Sequence, residues 1–381
     1  MKRRLIFPAL VLTLLFSLTV FAQQPTPTPP DERIKIQTEE VHLNVMAQSS
    51  FGRFVPTLKP EDLLVVESGD PQTITSMRRV PANVLLLLDT GRELNFVKTV
   101  ALTKLTAKIL IDNLSAEDSI AVVQYADKIE TISDWTSDHA SVFSELDNKL
   151  FSGKRQRFAE AINQAIGVFN TRPLENRQLV LISDGLDTVA DAVALQMAMR
   201  NLLAANITIH VIAYTQLEER AAQESTQRIK IGKGDTKPRV PEYIFDDIVK
   251  SMPVREETRR FLKSMNASQR IVIIQLDNER IRRVRVKREA WRVSENRMQE
   301  LADDTGGSFH APEETETMWK FAAEVARAIG SQYVITYMPT KPFVDSAQNE
   351  TRKVRVGTHC DGVQIRSRQK IVLNREVIYK K

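Results

Sequence analysis

The sequence predicts an α/β fold in which helices cover both faces of a doubly wound, mostly parallel sheet, joined to a β-rich unit made from both ends of the chain. Two runs, Val84–Leu88 and Leu179–Ile182, are continuously aliphatic, as in strands buried on both faces. Helical and strand-like segments alternate over residues 84–216. Residues 34–80 and 331–381 instead alternate apolar and polar residues, which is typical of strands with one exposed face.

The composition is that of an ordinary globular protein. The 381 residues are 42% hydrophobic and 27% charged, with a net charge of +5. The first 22 residues hold three basic and no acidic residues, and without them 50 basic residues face 48 acidic ones, a net charge of +2. A chain so close to neutral has no overall attraction to nucleic acid or to anionic lipid.

Residues 1–22 are predicted to be a signal peptide. A basic start precedes the apolar run Leu5–Phe21, and Val20 and Ala22 are suited to a cleavage site after residue 22. An uncleaved membrane anchor is the alternative, but the apolar run is short for a span. Residues 23–33 are rich in Pro and Thr and predict an extended linker. We therefore expect a periplasmic or secreted protein with no membrane span in the mature chain.

The pattern also predicts the order of the elements. After the first buried strand we expect helices and strands at residues 95–113, 119–125, 128–135, 138–150, 158–170, 178–183, 189–205 and 208–215. The next helix and strand come only at residues 298–310, so residues 217–297 are predicted to be an insertion. Its start, up to residue 240, is polar and predicted to be mobile.

The second half of the insertion predicts two helices between Tyr243 and Met265, followed by a hairpin that turns at Asp277–Asn278. Val284 and Val286 alternate with basic residues there, which is typical of a strand with one wet face. The basic residues are Arg280, Arg282, Arg283, Arg285, Lys287, Arg288 and Arg292. They indicate either a patch for an acidic partner or a solvated face, and we favour the solvated face.

An acid follows each of the two aliphatic runs. Asp89 and Asp184 would lie at one edge of the sheet, because the carboxyl ends of parallel strands meet there. Two carboxylates at one edge suit Mg²⁺ or a similar cation. The alternative is that each acid caps the helix that follows it. The occurrence of the pair favours a shared site.

These segments, LLLLDTGRE and LVLISDG, resemble the von Willebrand factor A (VWA) domain, and residues 82–330 would form it. In that family Asp-x-Ser-x-Ser, a Thr and a second Asp form a metal-ion-dependent adhesion site. Asp89 and Asp184 match its acids, while Gly91 and Glu93 stand at the serine positions and Gln156 is aligned with the Thr. The resemblance implies a protein–protein interaction module with a degenerate metal site.

A second resemblance lies in the flanks. The string GRFVPTLKPEDLLVVESGDPQTITSM resembles the segment that precedes the VWA domain in an exported bacterial family first described from Acidobacteria, and the segments LADDTGGSF and SQYVITYMP resemble its later part. The matching residues of the first string are Gly52, Val55, Leu58, Asp62, Glu67, Gly69, Gln72 and Ile74. The resemblance implies export.

We therefore expect a protein partner to bind at the carboxyl-end face of the sheet, around Asp89, Thr90, Gly91, Arg92, Glu93, Gln156 and Asp184. A metal ion, Mg²⁺ or Mn²⁺, would be held by Asp89, Glu93 and Asp184, and no other cofactor is expected. The nearby cations Arg92, Lys154, Arg155 and Arg157 favour a site without metal. A Lys or Arg reaching into the metal position would receive an acidic partner directly.

An enzyme is not expected, because the sequence has no Gly-x-Ser-x-Gly elbow, Walker loop, zinc-ligand spacing or Rossmann glycines. The five histidines are scattered, and Cys360, as the only cysteine, allows no internal disulfide. One alternative is a structural scaffold of the cell envelope, in which the flanking strands form a second packed unit. A metal-dependent hydrolase is the less favoured alternative.

Overall fold

The computed structural model describes residues 40–91, 97–226, 230–231, 242–267, 272–273, 278–343 and 350–372. The predicted signal peptide 1–22 and linker 23–33 lie outside these residues, as do Arg92 and Glu93. Within the described ranges, no helix has both the length and the apolar character needed to cross a bilayer.

The strands and helices of the described residues follow in chain order. The strands are β1 Val41–Ser49, β2 Leu63–Glu67, β3 Asp70–Gln72, β4 Ile74–Arg78, β5 Asn83–Asp89, β6 Ser119–Tyr125, β7 Ile129–Thr136, β8 Arg177–Ser183, β9 Thr208–Ala213, β10 Lys230–Ile231, β11 Val272–Ile273, β12 Phe309–His310, β13 Gln332–Tyr337, β14 Thr351–Thr358, β15 Val363–Ser367 and β16 Lys370–Val372. The helices are α1 Val100–Asp112, α2 His139–Lys149, α3 Phe158–Phe169, α4 Ala192–Ala204, α5 Thr215–Thr226, α6 Glu242–Ser251, α7 Glu256–Ala267, α8 Asn278–Thr305 and α9 Thr315–Gly330.

A six-stranded sheet forms the centre of the fold, in the order β12-β9-β8-β5-β6-β7. All its neighbouring pairs are parallel except β6 with β7. Every residue of β5 and β8 is buried, which explains why both read as unbroken aliphatic runs. Alternate residues of β5 enter two separate hydrophobic clusters, with α1, α2 and α9 on one face and α3, α4 and α8 on the other. The predicted fold class is confirmed.

The two ends of the described chain form two antiparallel sheets, β15-β1-β13-β4 and β16-β14-β2-β3. Strand β1 lies between β13 and β15, and β2 pairs with β14, so strands from before and after the central sheet alternate. Leu43, Val65, Ile335 and Val354 from both sheets share one hydrophobic cluster. Neither flank could bury one face alone, and together they form the predicted β-rich unit.

Residues 217–297 differ in part from the prediction. Their first part continues helix α5, with Leu217 and Ala222 buried, and residues 227–229 and 232–241 lie outside the described residues. Helices α6 and α7 are the two that the sequence predicts. The predicted hairpin is wrong, because helix α8 runs from Asn278 through that segment.

The alternation of Val284 and Val286 is misleading because a helical pattern in the same segment decides the structure. Trp291, Ser294 and Met298 are buried at spacings of three and four residues, which is one face of an α-helix. Arg, Lys and Glu are frequent in the same segment and favour helices. Several of the basic residues singled out in the sequence lie exposed on α8: Arg282, Arg283, Arg285, Arg288 and Arg292.

Gly307 gives a test of how tightly α8 is joined to the central sheet. A Cβ at this position would lie 1.8 Å from the carbonyl oxygen of Ile209 on β9, so backbone would have to move. We expect Gly307→Ala to lower the free energy of unfolding by about 1–3 kcal/mol. Gly167→Ala is the control, because its Cβ meets nothing within 4 Å in helix α3, and it should stabilise by up to about 1 kcal/mol. Urea unfolding of both variants measures the difference, and equal effects would refute the packing argument.

Candidate functional site

Two buried acids meet at the carboxyl end of the central sheet. Asp89 is the last residue of β5, and Asp184 follows the last residue of β8. These strands are parallel neighbours with Leu88 opposite Ile182, which brings the two side chains side by side. Both acids are fully buried. Neither caps a helix, because α1 and α4 are capped by Thr99 and Asp191.

The ammonium group of Lys98 lies between the two carboxylates. Its Nζ donates to Asp89 Oδ2 at 2.8 Å and to Asp184 Oδ2 at 3.1 Å, and the side chain is only 1% exposed. The backbone N–H groups of Val97 and Lys98 both donate to Glu218 Oε1, at 2.8 and 2.6 Å. Helix α1 begins directly afterwards. The lysine is thus held at its backbone as well as at its charge.

Gln156 contacts the same two acids from the loop before α3. Its Nε2 donates to Asp184 Oδ1 at 2.7 Å and to Asp89 Oδ2 at 3.2 Å. Its backbone N–H donates to the hydroxyl of Thr188, and the N–H of Thr188 donates back to its carbonyl. These bonds join the loop before α3 to the loop after β8. The side-chain Oε1 of Gln156 is buried and has no hydrogen-bond partner among the described residues.

The remaining oxygen contacts come from neighbouring strands and loops. Ser183 Oγ donates to Asp89 Oδ2 at 3.0 Å and lies 2.6 Å from the hydroxyl of Tyr125. The backbone N–H of Gly91 donates to Asp89 Oδ1 at 3.0 Å, and that of Leu186 donates to Asp184 Oδ1 at 3.1 Å. Each carboxylate oxygen therefore accepts at least one hydrogen bond.

The charges in the cluster shift one another's pKa values. Burial raises the pKa of Asp89 to about 6, with Asp184 adding to the rise and Lys98 opposing it. Burial alone would lower the pKa of Lys98, but the charges of Asp184 and Asp89 outweigh it and the net change is upward. Lys98 is therefore a charged ammonium at neutral pH.

The residues at this site do not fit a divalent metal ion. Mg²⁺ takes oxygen ligands in a near-octahedral shell and retains several waters. Here the two buried carboxylates already face N–H donors of Lys98 and Gln156, and these donors would point at an ion placed between them. Among the described residues, no group of three or more His, Cys, Asp or Glu side chains is placed to hold a metal. Glu93 lies outside these residues.

The structure brings together five of the predicted site residues: Asp89, Thr90, Gly91, Gln156 and Asp184. All five are buried. The hydroxyl of Thr90 accepts a hydrogen bond from Gln124 Nε2 at 2.6 Å. Arg92 and Glu93 lie outside the described residues. The sequence-predicted cations do not reach into the cluster: Lys154 and Arg155 are exposed on the loop beside it, and Arg157 pairs with Glu160 at 2.7 Å.

Sequence reasoning missed Lys98. The apolar periodicity predicted a helix from residue 95, which placed this lysine inside a regular element. The helix begins only at Val100, and Thr99 is its N-cap, accepting from the N–H of Leu102. A lysine just before a helix N-terminus is electrostatically unfavourable, because that end of the helix carries a positive partial charge. Its unusual position, between Asp89 and the helix, was the sequence signal that could have identified Lys98 as a site residue.

The segment that carries the two acids is similar to a known family of domains. Residues 84–186, which include both acids, match the family model of the von Willebrand factor type A domain. Among solved structures, the conserved hypothetical protein BatB from Bacteroides thetaiotaomicron is 15% identical, with 65% of this chain and 99% of that chain covered and a TM-score of 0.37. A von Willebrand factor type A protein from Catenulispora acidiphila is 10% identical, with 90% and 76% covered and a TM-score of 0.41. A comparison with curated proteins finds no match.

Proposed function

We propose that this chain, whose residues 84–186 match the von Willebrand factor type A domain, is an exported module that binds a protein partner at the carboxyl-end face of its central sheet. The observation that carries the proposal is the cluster of Asp89, Lys98 and Asp184 at that face. Its one ammonium and two carboxylates are buried and hydrogen-bonded to one another, so the cluster serves to fix the surrounding loops. We regard the metal-ion-dependent adhesion site as degenerate.

The partner would meet the loop that covers this cluster. Gly153 donates its N–H to the carbonyl of Thr90, which places the loop across the end of β5. The side chains of Lys154 and Arg155 are exposed there and favour an acidic protein surface. The near-neutral charge of the predicted mature chain does not favour nucleic acid.

Catalysis is not part of the proposal. The most buried imidazole of the described residues, that of His210, lies within 2.9 Å of Ser308 Oγ and 3.2 Å of Gln178 Oε1, away from the carboxyl-end cluster. Burial lowers its pKa to about 3, so it stays neutral and serves in packing. We propose that the chain needs no cofactor.

Export rests on the predicted signal peptide and on the resemblance of the flanks to an exported bacterial family. We propose that the mature protein is periplasmic or secreted. Detection of the mature chain, with its new N-terminus, outside the cytoplasm of the source cells tests this proposal.

Site-specific photo-crosslinking tests the binding face. A photoreactive residue at position 155 is expected to capture a protein from envelope or medium fractions of the source cells, and Lys154→Glu should weaken that capture. The matched control is position 117, because Glu117 is exposed and precedes the amino end of β6. Equal capture at both positions, or none at either, would contradict the proposal.

A structural scaffold is the second candidate, and the interleaved flanking strands favour it. Strand β1 pairs with β13 and β15, so the β-rich unit is built from both ends of the described chain. Leu64 on β2 is 48% exposed, so a photoreactive residue at position 64 tests the scaffold function. Capture at position 64 and not at position 155 would favour the scaffold.

A further inference from the structure

We infer that the Lys98 ammonium is the permanent cation of the carboxyl-end site, and that it takes the place of a divalent metal ion. The family resemblance implies a metal between Asp89 and Asp184, yet Lys98 Nζ bonds to one oxygen of each. The side chain belongs to the chain itself and is 1% exposed. The site therefore holds a tethered positive charge.

The carboxylate oxygens of the site already accept hydrogen bonds from donors of the protein itself. Asp89 Oδ2 accepts from Lys98, Gln156 and Ser183, and Asp184 Oδ1 accepts from Gln156 and the backbone of Leu186. A metal ion would have to remove the ammonium and the Gln156 amide from these oxygens. The displaced ammonium would then need another partner in a buried region.

Contacts from helices α5 and α8 fix the position of Lys98 and of the acids that it bonds to. Glu218 on α5 accepts both backbone N–H groups that lead into Lys98, and Glu218 is itself fully buried. On the other side, Ser294 Oγ of α8 donates to the carbonyl of Asp184 at 2.7 Å, and Arg297 donates to the carbonyl of Gly185 at 2.7 Å. Helices outside the family-matched segment thus fix both sides of the cluster.

A tethered ammonium would also change how this face of the sheet can recognise another protein. A protein with a bound metal can coordinate a partner's carboxylate through an open position on the ion. With an ammonium that already donates to two buried acids, such coordination is not available. Any partner of this face would bind in the presence of a chelator as well as in its absence.

The experiment compares Mn²⁺ binding by the wild-type protein with binding by Lys98→Ala. Removing the side chain leaves two carboxylates, Ser183 and space for waters, and turning the Gln156 amide over would replace its Nε2 donor by the Oε1 oxygen. We expect Mn²⁺ to bind Lys98→Ala at least about tenfold more tightly than wild type in titration calorimetry. We also expect the Tm of the variant to rise with Mn²⁺ concentration, while that of wild type stays constant.

Two control variants separate charge from space. Lys98→Met removes the charge but fills most of the volume, so Mn²⁺ should raise its Tm less than that of Lys98→Ala. Lys98→Ala combined with Asp184→Ala removes a ligand and should lose the metal response. Millimolar or tighter Mn²⁺ binding by wild type that disappears in Asp89→Ala would overturn the inference, and so would a Lys98→Ala variant that folds but ignores Mn²⁺.

If Lys98→Ala does not fold, nuclear magnetic resonance of ¹⁵N-labelled lysine in the wild-type protein tests whether the Lys98 ammonium occupies the site. The buried ammonium should give a slowly exchanging Nζ signal that Mn²⁺ does not broaden. Absence of that signal, or its broadening by Mn²⁺, would overturn the inference. All these measurements use the isolated protein, so a failed crosslinking experiment would leave their outcome unchanged.

Discussion

Lys98→Met is expected to lower the free energy of unfolding by about 3–5 kcal/mol, because it leaves two buried carboxylates without their counter-ion. Methionine has a similar length and fills most of the same space, so the loss reports charge more than packing. Both acids are fully buried and cannot recover solvation by small movements of their side chains. Urea unfolding of wild type and variant at neutral pH gives the difference.

The loss should depend on pH in a defined direction. The pKa of Asp89 is about 6 in the folded protein and near 3.8 in the unfolded chain, so the folded state binds a proton more readily. Such a group stabilises the folded state at low pH, and this contribution is lost as the pH rises through 6. Without Lys98 the pKa of Asp89 rises further. The variant's deficit should therefore be smaller at about pH 5 than at about pH 8.

Lys104→Met is the matched control on helix α1. Lys104 lies 3.4 Å from Asp147, and Asp147 is half exposed, so this pair is screened by solvent. Removing its charge should change the stability by at most about 1 kcal/mol and without the same pH dependence. Similar losses in the two variants would show that Lys98 contributes no more than an ordinary surface lysine.

The central sheet could be predicted because its strands carry a strong local signal. Burial on both faces requires apolar residues at every position, and β5 and β8 satisfy this almost completely. The acids at their ends followed from the same reasoning, since a residue that ends a parallel strand must lie at the carboxyl edge. Asp89 and Asp184 were placed correctly for that reason.

Lys98 and helix α8 left only weak signals in the local sequence pattern. Lys98 is fixed by Glu218, which is 120 residues away along the chain, and no spacing rule connects the two. In α8 one of the buried positions is Ser294, a polar residue, which weakened the helical periodicity. Val284 and Val286 then gave the stronger, incorrect pattern. In both cases the partner residue lies far away along the chain, so the contact that supports the weak local signal was not visible in the sequence.

Arg352→Met is expected to destabilise the β-rich unit by about 3–5 kcal/mol, because it leaves the buried carboxylate of Glu67 unpaired. Arg352 on β14 is 2% exposed and Glu67 on β2 is 4% exposed, and their Nη1 and Oε1 atoms lie 2.7 Å apart. The hydroxyl of Tyr337 on β13 donates to Glu67 Oε2 at 2.7 Å. The carboxylate thus joins three strands that come from both ends of the described chain.

Arg355→Met is the control, because Arg355 lies on the same strand with its side chain exposed, and its effect should stay within about 0.5 kcal/mol. Hydrogen exchange at the β2 amides measures the loss locally, so it is detected even if the β-rich unit opens separately. Adding Glu67→Gln to Arg352→Met removes the unpaired charge and should recover part of the lost protection. If the double variant is as unprotected as the sum of the single ones, the two residues act independently and the pairing argument fails.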